Sequence, residues 1–416
     1  MVSFRSALQR VARWCAVVTV AIAPATGQGV RTLVEPDPYT AGDKAALAAA
    51  GYVSLGPFPF GNNHTSAMVG ELLGTEPLAW IETAHFRIGC ALSPLELKGT
   101  EEWSRDWIDA TRRELTELKR VLPHINVRTK VLDGWLRAHL IALRLEHLYA
   151  EVLANLGLRE EWFPKRPGAD ARDAESFRGD GPYLGMREKF TVLLLQKAAS
   201  HARYTRAYQG IEIGEPIRFH DGAFGCMYWG GSEETGNGLF HNDMALHAHL
   251  IFNVAHNLYT CYRGFSHDLP TWFATGLGHW HSRRVCPRFP TYDRRDDQDR
   301  DPRSEFWQWD KRVVGMAKFN VFEPLVTFLE RDKAGEFNLE QHIESWALVD
   351  FLISTHKAAT FRFLHALKAP LHGRLRAPTR PELAALQRAA LAAAFDCDAE
   401  GLEGRWREHL LGKPKR

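Results

Sequence analysis

The apolar residues of this chain recur mainly three and four positions apart, which is the spacing of one face of an α-helix. This spacing predicts helices over residues 44–50, 101–122, 129–156, 187–208, 243–262, 271–284, 345–356, 359–367, 381–395 and 399–410. Two other segments, 78–90 and 211–228, have the composition of strands or hairpins. The pattern therefore predicts a mostly helical α+β fold with a small mixed sheet and a helical C-terminal part.

Residues 1–25 have the layout of a secretory signal peptide. They carry three arginines and no acidic residue, then an apolar run, and they end in the A-x-A pattern Ala23-Pro24-Ala25. The apolar run is about half as long as a membrane span. We therefore predict a signal peptide over 1–25, an exported protein that is periplasmic or extracellular, and a mature chain without a membrane span. A short amphipathic helix is the alternative for this segment.

Composition divides the rest of the chain into two parts. Residues 26–77 mix Pro and Gly with short elements, so we interpret them as a lead-in segment. Residues 78–416 form the predicted main domain. Within it, 78–240 carries the sheet, and 241–416 carries two histidine-rich helices and the helical C-terminal part.

The overall composition is that of a globular protein, with 45% hydrophobic and 25% charged residues. Lys and Arg number 52 against 50 Asp and Glu, so no excess of positive charge favours nucleic acid as a partner. The cysteines that follow the signal peptide include no C-x-x-C pair, which excludes a cysteine zinc knuckle. Export would permit one disulfide among these cysteines, with the pairing open.

Histidines are concentrated in one part of the chain. Seven of the 19 lie between positions 241 and 281, and such clustering favours metal or proton chemistry. On the helix predicted over 243–262, His249, Phe252, Asn253 and His256 share one face. Zinc on a helix needs ligands one turn apart, as in H-E-x-x-H, whereas His249 and His256 lie two turns apart. The alternative is that these histidines line a polar seam between helices.

Two segments resemble the motifs of the gluzincin metallopeptidases. Phe252-Asn253-Val254-Ala255-His256 stands where that family has H-E-x-x-H, and 269–280 resembles its following segment L-P-x-W-x-x-E-G-x-A-E-Y. Residues 85–88, 345–352 and 394–408 resemble the opening strand and the closing helices, so the resemblance covers roughly 80–411. It implies a gluzincin or thermolysin-like catalytic-domain fold, with a cleft between the sheet and the helix that carries the first motif.

The resemblance also implies that most of the catalytic groups are replaced. The first histidine ligand corresponds to Phe252, which has no donor atom, and the general-base glutamate corresponds to Asn253, whose amide cannot accept a proton from water. The second histidine is kept as His256, and the third ligand, a glutamate, corresponds to Thr275. Because a catalytic zinc needs three protein ligands and an open position, the resemblance implies a pseudoenzyme. The cleft residues that it implies are His249, Phe252, Asn253, His256, Thr275 and His279.

We therefore expect an exported protein without a cofactor that binds a peptide or an extracellular polymer, with the strand over 85–90 offering an edge for strand addition. Two alternatives stay open. His256 and His279, with a third group such as His249 or His281, could hold zinc in a rearranged site and make the protein an active metal-dependent hydrolase. The chain could instead act only through its surface, in an envelope or extracellular assembly.

Overall fold

A five-stranded mixed sheet with helices packed on it forms the centre of the protein, in a computed structural model that describes residues 36–74, 76–166, 176–289, 291, 307–331, 337–369 and 378–412. All of these residues belong to the unit Leu33–Arg416. The signal peptide predicted over 1–25 lies outside them. Among the described helices, none has both the length and the apolar character that crossing a bilayer requires.

Helices are the predominant elements, which confirms the prediction of a mostly helical α+β fold. They are α1 (Lys44–Ala49), α2 (Ser66–Leu72), α3 (Glu102–Lys119), α4 (Gly134–Leu156), α5 (Ala198–Gln209), α6 (Thr235–Gly238), α7 (Asp243–Cys261), α8 (Thr271–Val285), α9 (Trp309–Phe319), α10 (Leu325–Phe328), α11 (Leu339–Leu367), α12 (Arg380–Phe395) and α13 (Ala399–Gly412). Helix α11 joins two predicted helices across a kink at His356, whose φ of −138° is not helical.

The strands are short, as the sequence predicts for a small sheet. They are β1 (Pro59–Gly61), β2 (His64–Thr65), β3 (Ala79–Glu82), β4 (Phe86–Cys90), β5 (Leu95–Glu96), β6 (Val131–Leu132), β7 (Phe190–Leu195), β8 (Ile217–Asp221) and β9 (Cys226–Ser232). The main sheet has the order β3-β4-β7-β9-β8. The three inner strands run parallel, whereas the two outer strands are antiparallel to their neighbours.

The central strand of the sheet contradicts a prediction. The helix predicted over 187–208 is wrong in its first half, where β7 forms, and only its second half is helical as α5. All six residues of β7 are buried. A strand covered on both faces has a continuous apolar run rather than an alternating one, so its period cannot distinguish it from a buried helix.

The expected sheet edge over 85–90 is also wrong. This segment contains β4, which pairs with β3 on one side and with β7 on the other. Its backbone groups are therefore used within the sheet and cannot receive an added strand. The edge strands are β3 and β8.

Two further expectations change at the level of single residues. Helix α4 begins at Gly134 rather than near position 129, because the side chain of Asp133 accepts from the backbone N–H of Leu136 and caps the helix.

The disulfide that export would permit is absent among the described residues. All five of their cysteines carry free thiols, at Cys90, Cys226, Cys261, Cys286 and Cys397.

The described part of the lead-in segment packs directly on the sheet-bearing part. Phe60 meets Trp80 of β3 edge to face, with ring centroids 5.1 Å apart. The hydroxyl of Tyr52 lies 2.8 Å from Nδ1 of His139, and Nε2 of that histidine lies 3.2 Å from Asp37. These buried contacts join the segment to α4.

Helices α7, α8 and α11 lie in close contact because glycines stand where they cross. A Cβ added at Gly278 of α8 would come within 2.8 Å of the Phe252 ring on α7. A Cβ at Gly276 would come within 2.5 Å of Val349 and would strike the carbonyl oxygen of Ser345, both on α11. The two glycines therefore permit the close approach of three helices around the candidate site.

We predict that Gly276→Ala lowers the free energy of unfolding by about 1–3 kcal/mol, because the added methyl group overpacks the contact between α8 and α11. The measurement is urea unfolding followed by circular dichroism. The matched control is Gly404→Ala in α13, where no atom lies within 4 Å of the added Cβ. That exposed helical substitution should raise the free energy of unfolding by about 0.5–1 kcal/mol. Equal effects of the two substitutions would contradict the close approach.

Candidate functional site

The candidate site lies along α7, which packs beside the edge of the sheet. The side-chain oxygen of Asn242 accepts from the backbone N–H of Met244 and Ala245 and caps the helix. Further along, Nδ2 of Asn257 donates to the carbonyl oxygen of Tyr228 on β9 at 3.4 Å. Helix α7 therefore lies against the β9–β8 end of the sheet, where the sequence predicts a cleft.

A buried cluster of charges fixes the N-terminal end of α7. Asp243 accepts from Arg144 at 3.1 Å and lies 3.7 Å from Arg137. Arg137 also binds Glu233 at 2.5 Å, and Arg144 binds Glu114 at 2.8 Å. Burial alone would raise the pKa of Asp243, but the two arginines outweigh it and lower this pKa to about 2. Asp243 is therefore charged at neutral pH. Glu233 is also buried, with 1% of its surface exposed.

Arg218 of β8 contacts Asn253 at the position that the resemblance assigns to the general base. Nη1 of Arg218 donates to Oδ1 of Asn253 at 3.0 Å. On the other side, Nδ2 of Asn253 donates to the carbonyl oxygen of His249 at 2.9 Å. The amide thus serves as acceptor toward one partner and as donor toward the other. A carboxylate at this position would present an acceptor to the His249 carbonyl, which has no proton to donate.

Phe252, which the resemblance aligns with the first zinc ligand, has an apolar and fully buried ring. Its ring centroid lies 4.7 Å from that of His279, and the guanidinium carbon of Arg218 lies 5.9 Å from it. The ring is thus packed between α8 and β8. It contributes hydrophobic contact and a weak attraction for the cation, but no metal donor.

His256, the histidine that the motif keeps, is 9% exposed. Its Nδ1 lies 3.4 Å from the hydroxyl of Thr260, one turn further along α7. Burial lowers the pKa of His256 well below its usual value, and the positive charge of Arg218 lowers it further. The imidazole is therefore neutral at physiological pH.

Thr275 and His279 lie on α8 and are both buried. Nε2 of His279 is hydrogen-bonded to Nδ1 of His342 on α11 at 3.0 Å, and its ring packs against Trp309 at 4.9 Å. Burial lowers the pKa of His279 well below its usual value, and His342 and Arg283 add to this effect. His279 therefore joins α8 to α11.

His249, the remaining predicted cleft residue, is half-buried among aromatic rings. Its ring centroid lies 4.6 Å from that of Phe240 and 5.8 Å from that of Trp229 on β9. The structure therefore places His249 on the sheet side of α7. Phe252 and His279, in contrast, meet on the α8 side.

This set of side chains does not fit a catalytic zinc. Within the ranges that the structure describes, no group of three or more His, Cys, Asp or Glu is placed to share a metal ion. Phe252 has no donor, and neutral amide and hydroxyl oxygens such as those of Asn253 and Thr275 are poor zinc ligands. Arg218 also puts a positive charge close to His256, which repels a dication. Zinc held by His256 and His279 stays a prediction that this arrangement does not favour.

Comparisons with known proteins give no match: neither a scan against protein-family models nor a search of curated proteins found one. The resemblance to gluzincins therefore rests on the two motif segments and their order along the chain.

The arginines that contact α7 are not among the residues predicted from the sequence. Arg218 stands between Ile217 and Phe219, so the strand alternates apolar, polar and apolar as an edge strand does. That alternation places Arg218 on one face of β8, but it does not show which helix lies there. Arg137 and Arg144 lie inside the apolar stripe of α4, and their burial among charged partners depends on long-range packing.

We predict that the contact between Arg218 and Asn253 stabilises the fold by about 1–3 kcal/mol, because a hydrogen bond from a charged donor is stronger than a neutral one. The measurement is a double-mutant cycle with Arg218→Met, Asn253→Ala and the double variant in urea unfolding. The control cycle uses the exposed pair Arg206 and Glu212, for which a coupling below about 0.5 kcal/mol is expected. Additive effects of the first two substitutions would show that the two side chains do not interact.

Proposed function

We propose that this chain is an exported gluzincin-like protein that has lost its zinc ligands and general base and binds a peptide or polymer without cleaving it. In this proposal the binding surface is formed by β8, with the half-buried Arg218, beside α7. Of the six residues predicted from the motifs, His249 is half-buried and the other five, Phe252, Asn253, His256, Thr275 and His279, are buried, so those five do not line an open cleft.

The observation that carries this proposal is the contact between Arg218 and Asn253. A metal-dependent hydrolase needs a carboxylate that removes a proton from the metal-bound water. Asn253 cannot accept that proton, and its oxygen is already bound to a guanidinium that does not lose its own proton at physiological pH. At this position, therefore, a fixed cation and an amide replace the metal and the base.

The sheet edge supports binding of an extended ligand. Among the described strands, β8 pairs with β9 and with no other strand. All five residues of β8 are half-buried, whereas every residue of β4, β7 and β9 is buried. A strand edge to which no further strand is paired can receive an extended peptide through main-chain hydrogen bonds. We therefore propose that an added peptide strand would pair with β8, and not with residues 85–90 as expected from the sequence.

The charge of Arg218 favours acidic groups on the ligand. A guanidinium binds carboxylates in a planar, two-point geometry and keeps its charge across the physiological pH range. The side chain is half-buried, so a bound carboxylate would be partly shielded from water and the attraction would be stronger than at an open surface. We therefore propose that acidic peptides bind better than basic ones.

The test uses the purified chain and two synthetic pools of random decapeptides, one enriched in Asp and Glu and one in Lys and Arg. Retention of the acidic pool is expected, with a decrease of about tenfold or more in affinity for Arg218→Met. The control is Arg206→Met, which removes an arginine from the exposed surface of α5 and should leave binding unchanged. Peptide intact by mass spectrometry after incubation is also expected.

Two outcomes would overturn the proposal. Equal binding of both pools by the wild type and Arg218→Met would exclude the cleft as the binding site. Cleavage of the peptides that is stopped by a chelator and lost in His256→Ala would show that the protein is an active metal-dependent hydrolase.

A further inference from the structure

One cavity contains none of the six residues predicted for the cleft. It has a volume of about 460 Å³, is open to solvent on one side, and is lined by α3, α4, the first turns of α7, the end of α8 and the chain that follows it. Ligand pockets in proteins commonly fall in the range of about 300–1,000 Å³. The cavity is therefore large enough for a small ring-shaped molecule or one unit of a polymer.

Tryptophans form the walls of this cavity. Trp103 and Trp107 stand one turn apart on α3 and are both partly exposed, and Trp307 contributes a third indole. Nε1 of Trp107 donates to Asp243 at 3.3 Å, and Trp103 meets Phe289 edge to face at 6.0 Å. These contacts hold the two α3 indoles in place, so their orientation does not depend on a ligand.

The floor of the cavity carries neutral polar groups. Within the described chain, the buried hydroxyl of Thr111 has no hydrogen-bond partner. His247 also lines the cavity, and burial, together with the charge of Arg144, lowers the pKa of its imidazole well below the usual value. A neutral imidazole offers one donor and one acceptor. A buried hydroxyl without a partner destabilises the fold, and because Thr111 is fully buried, a ligand or water reaches this hydroxyl only when the side chains around it shift.

The charged groups around the cavity leave little net charge for a ligand to neutralise. Arg144 is already bound to Glu114 and Asp243. The guanidinium of Arg288 lies 4.3 Å from the centroid of the Trp307 ring, and the acidic Glu102 and Asp106 line the same cavity. Arg113 and Arg284 complete the charged lining, and Arg284 is paired with Glu151. Charges of both signs around the cavity can hydrogen-bond to hydroxyl groups, whereas they do not select a cation or an anion.

From these observations we propose that the cavity binds a pyranose ring of a neutral glycan. The C–H faces of the sugar stack on Trp103 and Trp107, and its hydroxyl groups bind the Thr111 hydroxyl and the His247 imidazole. A pyranose combines apolar faces with hydroxyl groups of both donor and acceptor character, which matches indole walls and a neutral polar floor. This site does not depend on the proposed peptide-binding cleft, because the two share no residue.

The test is isothermal titration of the purified chain with maltohexaose, cellohexaose and chitohexaose, each followed also by tryptophan fluorescence. Binding of at least one of these neutral oligosaccharides is expected. Trp103→Ala should weaken it about five- to tenfold through loss of one stacking surface. Trp162→Ala is the matched control, because Trp162 is 50% exposed and lies outside the cavity, and it should leave binding unchanged.

A second variant keeps the test valid if Trp103→Ala does not fold. Thr111→Val removes the hydroxyl while keeping the shape of the side chain, so it should weaken sugar binding about three- to tenfold and leave the melting temperature the same or higher. Absence of binding by all three oligosaccharides would overturn the proposal. So would binding unaffected by Trp103→Ala and Thr111→Val, or binding restricted to the anionic probe hexagalacturonate. Retention of random decapeptides that is lost in Trp103→Ala would assign the cavity to peptide side chains instead.

Discussion

Arginines on both sides of α7 hold this helix in place. At the N-terminal end of the helix, Arg137 and Arg144 bind the buried carboxylate of Asp243. In its middle, Arg218 of β8 binds Asn253. Buried charges are stable only when each has partners, so the position of the helix relative to α4 and the sheet is restricted by these contacts. The tryptophan-lined cavity near the start of this helix and the contact of Arg218 with its middle therefore both depend on where the helix lies.

The contact at Asn253 links this structural constraint to chemistry. The amide accepts from a guanidinium and donates to a carbonyl, a combination that a carboxylate cannot provide. Asn253 is therefore suited to its surroundings as an amide. The Phe252 ring packs beside the same guanidinium and against His279. Phe252, Asn253 and His279 thus belong to one packed arrangement beside Arg218, which supports the proposal that the protein binds a ligand without hydrolysing it.

Much of this arrangement could be predicted where it depends on local spacing. Periodicity predicts helices α7 and α8 and the strand pair that contains Phe86. It also predicts that Asn253 and His256 lie on one helix. The strand Phe190–Leu195 could not be recognised, because a strand buried on both faces lacks the alternation that identifies it. Arg218 could not be recognised for a different reason: its partner Asn253 lies 35 residues further along the chain, on α7. Long-range contacts of this kind leave no signal in the spacing of a single sequence.

The most direct test of this account is the zinc content of the purified protein after incubation with one equivalent of zinc and removal of the unbound metal. The arrangement of Arg218, Phe252, Asn253 and Thr275 predicts less than about one tenth of an equivalent. One tightly bound equivalent of zinc that is lost when both His256 and His279 are replaced by alanine would contradict the account. It would show that these two histidines hold a metal ion.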